Sequence, residues 1–229
     1  MPPTLAAESV RRFTERLDVA IGYHDELLLA VHGKRRQAGL ETTLAEQFVF
    51  NAAVLWEVFL NELLLSYLVM SPEHFTSGLK TRLSASIKDR FGMEAARRTR
   101  IDLPNRITSR QASALADPKN YNITVGSAAQ LATRANDLLV AAHARPFTLS
   151  AENAQLFDLV LAIRNYLGHR SDASRAELKR AVAGLNGVNA GLNAPAANVG
   201  TYLKTRNAAG EPRSITIGRR LIDVARALV

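Results

Sequence analysis

The residues best suited to chemistry lie close together in the second half of the chain: Arg164, Asn165 and His169 fall within six residues of one another. Arginine supplies a permanent cation, the amide offers a donor and an acceptor, and histidine titrates near neutral pH. Such groups can bind a phosphodiester and transfer a proton to or from a reacting oxygen atom. The sequence contains no glycine-rich phosphate loop, dinucleotide fingerprint or serine nucleophile elbow, so these enzyme classes are disfavoured.

An amphipathic helix carries this cluster. Apolar residues at helical spacing predict a helix from Ala151 to about Leu167, with Ser150 as its N-cap. At about 100° per residue, Asp158 shares a face with Asn165 and His169, and Arg164 lies at the margin of the apolar stripe. The predicted stripe consists of Leu156, Leu159, Val160, Ile163 and Leu167.

The spacing of Arg164 and His169 raises a geometric problem. Five residues separate the two side chains by roughly 140° on an ideal helix, so an unbroken helix does not direct both at one phosphate. Gly168 can end or kink the helix before His169. Alternatively, a second copy of the chain completes the cluster across a two-fold axis. A purely structural role, in which these residues cap the helix end, is the competing interpretation.

An acidic partner for the cluster is expected on another helix. Glu57 and Glu62 interrupt the apolar run 48–70, where a buried carboxylate is costly unless it is paired. We predict an ion pair between Glu57 and Arg164; the alternative is that Glu57 simply reaches solvent. Trp56 is expected in the core.

Composition points to an all-α protein. Ala and Leu are abundant, aromatics make up 6 % of the 229 residues and there is no cysteine, which excludes disulfides and cysteine-ligated metal centres. Charged residues within positions 8–18 exclude a secretory signal there, and the polar residues inside 48–70 disfavour a membrane span. A cytoplasmic protein with no metal and no cofactor is expected.

Basic residues indicate a polyanionic partner. The formal net charge is +8, and residues 80–110 hold nine Lys or Arg against three acids. This segment is a candidate RNA-binding surface, and an ordinary solvated helix face is the alternative. The candidate RNA-binding residues are Lys80, Arg82, Lys88, Arg90, Arg97 and Arg98.

The remaining pattern predicts an up-and-down helical bundle with a small C-terminal appendage. Long helices are expected over 4–32, from about Thr42 to Met70 with Thr43 and Glu46 as a capping box, and from Pro72 to about Phe91. The predicted organisation is a helical domain at 1–183, a linker at 184–200 and an appendage at 201–229. In the appendage, the runs 201–205 and 214–217 predict a β-hairpin, followed by a helix.

Two segments resemble a known superfamily. Leu-Ala-Ile-Arg-Asn-Tyr-Leu-Gly-His-Arg at 161–170 resembles the HEPN signature, an Arg, a polar residue and a His a few positions later. The run 51–60 resembles the long helix that precedes this motif in several HEPN families, including its acidic residue. The likeness extends over about 20–182 as a helical pattern and excludes the tail.

The resemblance implies a dimeric helical bundle in which both motif copies face one cleft. Many such proteins are metal-independent ribonucleases of toxin–antitoxin or phage-defence systems. The resemblance assigns phosphate contact to Arg164, positioning to Asn165 and acid/base chemistry to His169, with Glu57 as an addition. Asp158 and Tyr166 are further candidate supporting residues. Expected partners are RNA, a second copy of the chain and an antitoxin or regulatory protein. The alternative is a noncatalytic HEPN-like module that binds a partner protein or nucleic acid.

Overall fold

Helices account for most of the residues that the computed structural model describes, which are 5–104, 106–117, 125–194 and 198–229. The all-α prediction is confirmed, since no strand forms in these ranges. Two 3₁₀ turns, Arg145–Phe147 and Gly187–Leu192, accompany the α-helices. The α-helices are α1 (Leu5–Val31), α2 (Gln37–Met70), α3 (Glu73–Phe91), α4 (Met93–Arg98), α5 (Ser109–Ala116), α6 (Ala128–Leu138), α7 (Ala141–Ala144), α8 (Ala151–His169), α9 (Asp172–Ala183), α10 (Val199–Lys204) and α11 (Arg213–Arg226).

The central element is α2, which packs against α1, α8, α10 and α11. Its apolar residues occur around much of the helix because neighbours cover several of its faces. Trp56 is fully buried, as predicted, and its ring lies 5.4 Å from that of Phe13, 5.3 Å from Phe59 and 6.2 Å from Phe157. These aromatic contacts join α1, α2 and α8 into one core.

The start of α2 differs from the prediction. The helix begins at Gln37, about one and a half turns before Thr42, and Thr43 with Glu46 does not form a capping box. Instead, the hydroxyls of Thr42 and Thr43 donate to the carbonyls of Ala38 and Gly39 one turn earlier. A threonine inside a helix makes this bond readily, so its cap-like spacing was misleading.

The predicted β-hairpin in the tail is wrong. Residues 201–204 lie in α10, which Asn198 caps by accepting from Thr201 N–H, and residues 214–217 lie in α11. Only the turn between them resembles the prediction, with a single bridge between Arg206 and Pro212. Buried residues cover about half of the circumference of α11, and this tertiary burial outweighs the strand propensity of its β-branched residues.

The tail is also part of the main core. Helix α11 packs against α1, α2 and α8, and α10 packs against α2. Tyr67 Oη in α2 donates to the carbonyl of Leu228 at 3.0 Å. Residues 201–229 therefore help to enclose the same hydrophobic centre as α1 and α8.

Helix α2 is the one described helix that is long and apolar enough to cross a membrane. Half of its most apolar window is buried inside the protein. Its interior carboxylates are paired, Glu57 with Arg164 and Glu62 with Arg12. These features fit a core helix.

Candidate active site

Helix α8 presents the candidate cluster and is rigidly held. Ser150 caps it by accepting from Asn153 N–H, as predicted. Four members of the predicted stripe are fully buried, and Leu167 is partly buried. Phe157, Leu161 and Ala162 are buried as well, because α2, α6, α9 and α11 surround the helix. The polar residues of the cluster therefore emerge where α8 leaves the core.

Gly168 neither ends nor kinks the helix. Helix α8 continues through His169, and the left-handed conformation that terminates it occurs at Arg170, with φ of 50°. A Cβ on Gly168 would lie 4.0 Å from Phe50 Cε2, so this glycine lies beside α2. Because the helix is unbroken, Arg164 and His169 of one chain diverge by about 140°.

Arg164 is held by two side chains. Its Nε lies 3.3 Å from Glu57 Oε1, its Nη2 donates to Glu57 Oε2 at 3.5 Å, and its Nη1 donates to Asn165 Oδ1 at 3.1 Å. The predicted Glu57–Arg164 ion pair is thus present. The Arg164 side chain is 37 % exposed and that of Glu57 is 33 % exposed. The guanidinium is consequently oriented and still open to solvent.

His169 is exposed at the last turn of α8. No hydrogen bond or ion pair joins its imidazole to the described part of the chain, so both ring nitrogens are available to a ligand. The adjacent Arg170 is tied to α2, because its Nη2 donates to Glu46 Oε2 at 2.7 Å. This bond raises the pKa of Arg170 and stabilises its charge.

Tyr166 lies between two arginines that the sequence analysis did not include among the site residues. The guanidinium of Arg170 is 5.9 Å from the Tyr166 ring centroid and that of Arg175 is 5.7 Å away. Arg175 Nη2 also donates to Tyr166 Oη at 3.3 Å. The cap residue Ser171, which starts α9 directly after α8, was the sequence signal that Arg175 would fold back toward the motif.

Asp158 lies away from the candidate cluster, at the contact between α8 and α6. Its Oδ1 accepts from Ala128 N–H at 2.8 Å, at the N-terminus of α6. Burial raises the pKa of this carboxyl, and the Ala128 hydrogen bond acts in the opposite direction. Asp158 precedes His169 by eleven residues, roughly 16 Å along a helix, so it supports the α6–α8 contact and does not touch the imidazole.

The predicted RNA-binding residues lie on α3 and α4. All six are exposed, and beyond the buried Phe75 no residue of either helix is buried. Helix α3 packs against α4 and α6, whereas the motif lies on α8. The basic segment and the motif are therefore separate surfaces of one chain.

The described residues contain no group of three His, Asp or Glu side chains arranged to hold a metal ion. The end of α8 presents an oriented guanidinium and an imidazole without intrachain partners, with three further polar or cationic side chains nearby. These are Asn165, Arg170 and Arg175.

Comparison of the chain with protein-family models, with curated proteins and with solved structures found no match.

Proposed function

We propose that this protein is a metal-independent endoribonuclease of HEPN type, which acts as a homodimer in a toxin–antitoxin or phage-defence setting. The observation that carries the proposal is the exposed His169 on the same rigid helix as Arg164, whose guanidinium is oriented by Glu57 and Asn165. A free imidazole and a positioned cation are the two groups that RNA cleavage by its own 2′-hydroxyl requires.

The proposed reaction conserves all atoms of the RNA. The 2′-hydroxyl loses its proton to a base and attacks the adjacent phosphorus, while the bond to the 5′-oxygen breaks and that oxygen takes up a proton. His169 accepts the proton of the 2′-hydroxyl as general base or donates a proton to the 5′-oxygen as general acid, water exchanges the proton at the other oxygen, and Arg164 stabilises the negative charge on the phosphoryl oxygens. The products are a 2′,3′-cyclic phosphate and a 5′-hydroxyl end.

A second copy of the chain supplies the missing geometry. Since Arg164 and His169 diverge on one helix, the two groups converge only if the partner contributes one of them. An exposed apolar stripe on α2, made of Phe50, Val54 and Val58, supports such a contact. Phe50 lies close to Gly168 of α8. Glu57, the residue before Val58, forms an ion pair with Arg164. The stripe therefore runs alongside the motif.

Exposed apolar side chains also lie on α1. Val19, Tyr23 and Leu27 are exposed, and the grooves between them and α2 are lined by both polar and apolar residues, among them Arg16, Asn51 and Leu55. Clustered exposed apolar side chains are typical of a protein–protein interface. In a two-fold dimer, a shared α1–α2 contact would bring the exposed edges of both α8 helices to one cleft.

The test is cleavage of RNA by the purified protein, with and without a chelator, followed by identification of the product ends. We expect cyclic phosphate ends in both conditions. His169→Ala should reduce the rate by about 10²-fold or more, as for loss of a general acid or base, and Arg164→Ala by a similar factor.

His74→Ala is the matched control, because His74 is also an exposed helical histidine but bonds to the Asn136 carbonyl, away from α8. It should cleave RNA as the unaltered protein does. Full activity in folded His169→Ala protein, or activity that disappears with chelator, would contradict the proposal.

A noncatalytic partner-binding module is the second candidate. The observation in its favour is that Arg164 already has intrachain acceptors in Glu57 and Asn165. In that case the protein produces no RNA ends under any condition, and Arg164→Ala affects only association with a partner.

A further inference from the structure

The hairpin formed by α3 and α4 is a second exposed surface of the chain. Helix α3 packs mainly against α4 and α6, and Phe75, near its start, is the one buried residue in the two helices. Helices in proteins gain most of their stability by packing an apolar face against a neighbour. The outer half of α3 and all of α4 therefore keep a surface that a partner can cover.

Apolar side chains are exposed at the outer end of this hairpin. Phe91 ends α3 and is 67 % exposed, and Met93 begins α4 and is 50 % exposed. Gly92 joins them with φ of 86°. Leu83, about two turns earlier on α3, is exposed as well. Apolar side chains that cluster in solvent mark a contact with a protein or with a membrane.

Basic side chains surround the exposed turn. The segment 88–100 holds five Lys or Arg against two acids, which leaves an excess of three positive charges. The Arg90 guanidinium lies 5.7 Å from the centroid of the Phe91 ring, and Arg98 Nε lies 2.8 Å from Glu94 Oε1. The basic residues are Lys88, Arg90, Arg97, Arg98 and Arg100, and all five are exposed. The charge calls for an anionic partner.

Charge and apolar exposure together select one kind of partner. A second copy of the chain is disfavoured, because a two-fold contact here would bring the same positive charge together from both sides. The arginines suit RNA phosphates and Phe91 can stack on a base, but Leu83 and Met93 gain little from a polyanion. An anionic membrane surface satisfies both features, since its phosphates attract the cations and its acyl region accepts the apolar side chains.

We infer that the α3–α4 hairpin attaches the protein to an anionic membrane surface. Phe91 and Met93 enter the interface between headgroups and acyl chains, and the basic residues of 88–100 lie at the lipid phosphates. A single weak anchor holds a protein only reversibly, so the apolar turn and its cations act together. The attachment is peripheral and does not depend on RNA cleavage, because the motif lies on α8.

The test is co-sedimentation of the full chain with phospholipid vesicles in the absence of RNA. One vesicle contains phosphatidylcholine alone, and the other contains about 30 % phosphatidylserine. We expect binding to the anionic vesicle only, and loss of most of it at high salt, which screens exposed charges. Phe91→Ser should weaken this binding by about tenfold, and Arg97→Gln combined with Arg98→Gln by about tenfold or more. Both changes are at exposed positions, so the variants should fold.

Two matched controls make the same changes elsewhere on the surface. Leu29→Ser removes a side chain of α1 that is 77 % exposed, and Lys179→Gln combined with Arg180→Gln removes two exposed charges from α9. Both should bind anionic vesicles like the unaltered protein.

The proposal fails if the unaltered protein does not bind anionic vesicles, or binds phosphatidylcholine alone equally well. It also fails if the controls weaken binding as much as the hairpin variants do. A change in RNA binding by the Arg97 and Arg98 variant, with vesicle binding unaltered, would assign the hairpin to RNA and overturn the proposal. Because the vesicle assay contains no RNA, its result is independent of whether the protein cleaves RNA.

Discussion

Arg164 shows how one ion pair can serve orientation more than stability. Its contacts with Glu57 and Asn165 fix the guanidinium, but both members of the pair are about one-third exposed. Solvent screens a pair of this kind, so it contributes less than about 1 kcal/mol to stability. Under the proposed function, the pair serves to hold the cation at the open edge of α8.

Glu57→Gln tests this positioning role. The amide keeps the shape of the side chain but removes its charge, so we expect the free energy of unfolding to change by less than about 1 kcal/mol. RNA cleavage under the proposed function should fall by about tenfold or more, because Arg164 loses its orienting partner. Denaturant unfolding and single-turnover cleavage measure the two effects.

Glu62→Gln is the corresponding control, because Glu62 pairs with Arg12 on α1 instead of with the motif. A positioning role for Glu57 is refuted if both variants cleave RNA at the same rate. It is also refuted if Glu57→Gln simply unfolds the protein.

At the scale of elements, close approach between helices determines where the C-terminal region lies. A Cβ added at Gly200 in α10 would lie 2.3 Å from Thr42 Cγ2 and 2.7 Å from Glu46 Oε1 on α2. The absent side chain allows α10 to rest directly on α2. Glu46 in turn binds Arg170, so this contact adjoins the end of α8.

Gly200→Ala should therefore destabilise the protein by about 1–3 kcal/mol, since the methyl group displaces side chains of a packed contact. Gly22→Ala provides the contrast. Gly22 is exposed within α1 and nothing lies within 4 Å of an added Cβ, so the change should stabilise the protein by up to about 1 kcal/mol. Thermal and urea unfolding of both variants would measure the difference. Equal stability of the two would mean that α10 does not pack on α2 as described.

For the whole molecule, the proposed homodimer needs a surface that a second copy could cover. Exposed apolar side chains lie on both α2 and α1, and the motif emerges along the edge of the α2 stripe. A dimer formed there would remove apolar area from water and assemble the divided cluster in one step.

Val54→Lys places a charge at the centre of the stripe while keeping α2 helical. We expect the unaltered protein to sediment at twice the chain mass of 25.0 kDa and this variant to sediment as a monomer. The monomer should also lose RNA cleavage, because its own Arg164 and His169 diverge by about 140°.

Val188→Lys is the control for this experiment, as Val188 is exposed in a 3₁₀ turn away from α2. It should remain dimeric. A monomeric unaltered protein that cleaves RNA, or a dimeric Val54→Lys, would contradict the proposed assembly.

Local signals in the sequence determined the helical elements and one tertiary contact. Ser150 caps α8 as its side chain predicts, and the cost of burying Glu57 on an apolar helix anticipated its pairing with Arg164. These features depend on side-chain chemistry and helical periodicity, which can be read from the amino-acid sequence.

Tertiary packing decided the rest. The C-terminal runs had strand propensity, but burial against α1, α2 and α8 makes them helices, because packing outweighs a preference of about 1 kcal/mol per residue. Gly168 had the freedom to break α8, yet the helix continues through it beside Phe50 and ends at Arg170. Arg170 and Arg175 lie on either side of the junction between α8 and α9, and only the folded chain brings both to the Tyr166 ring.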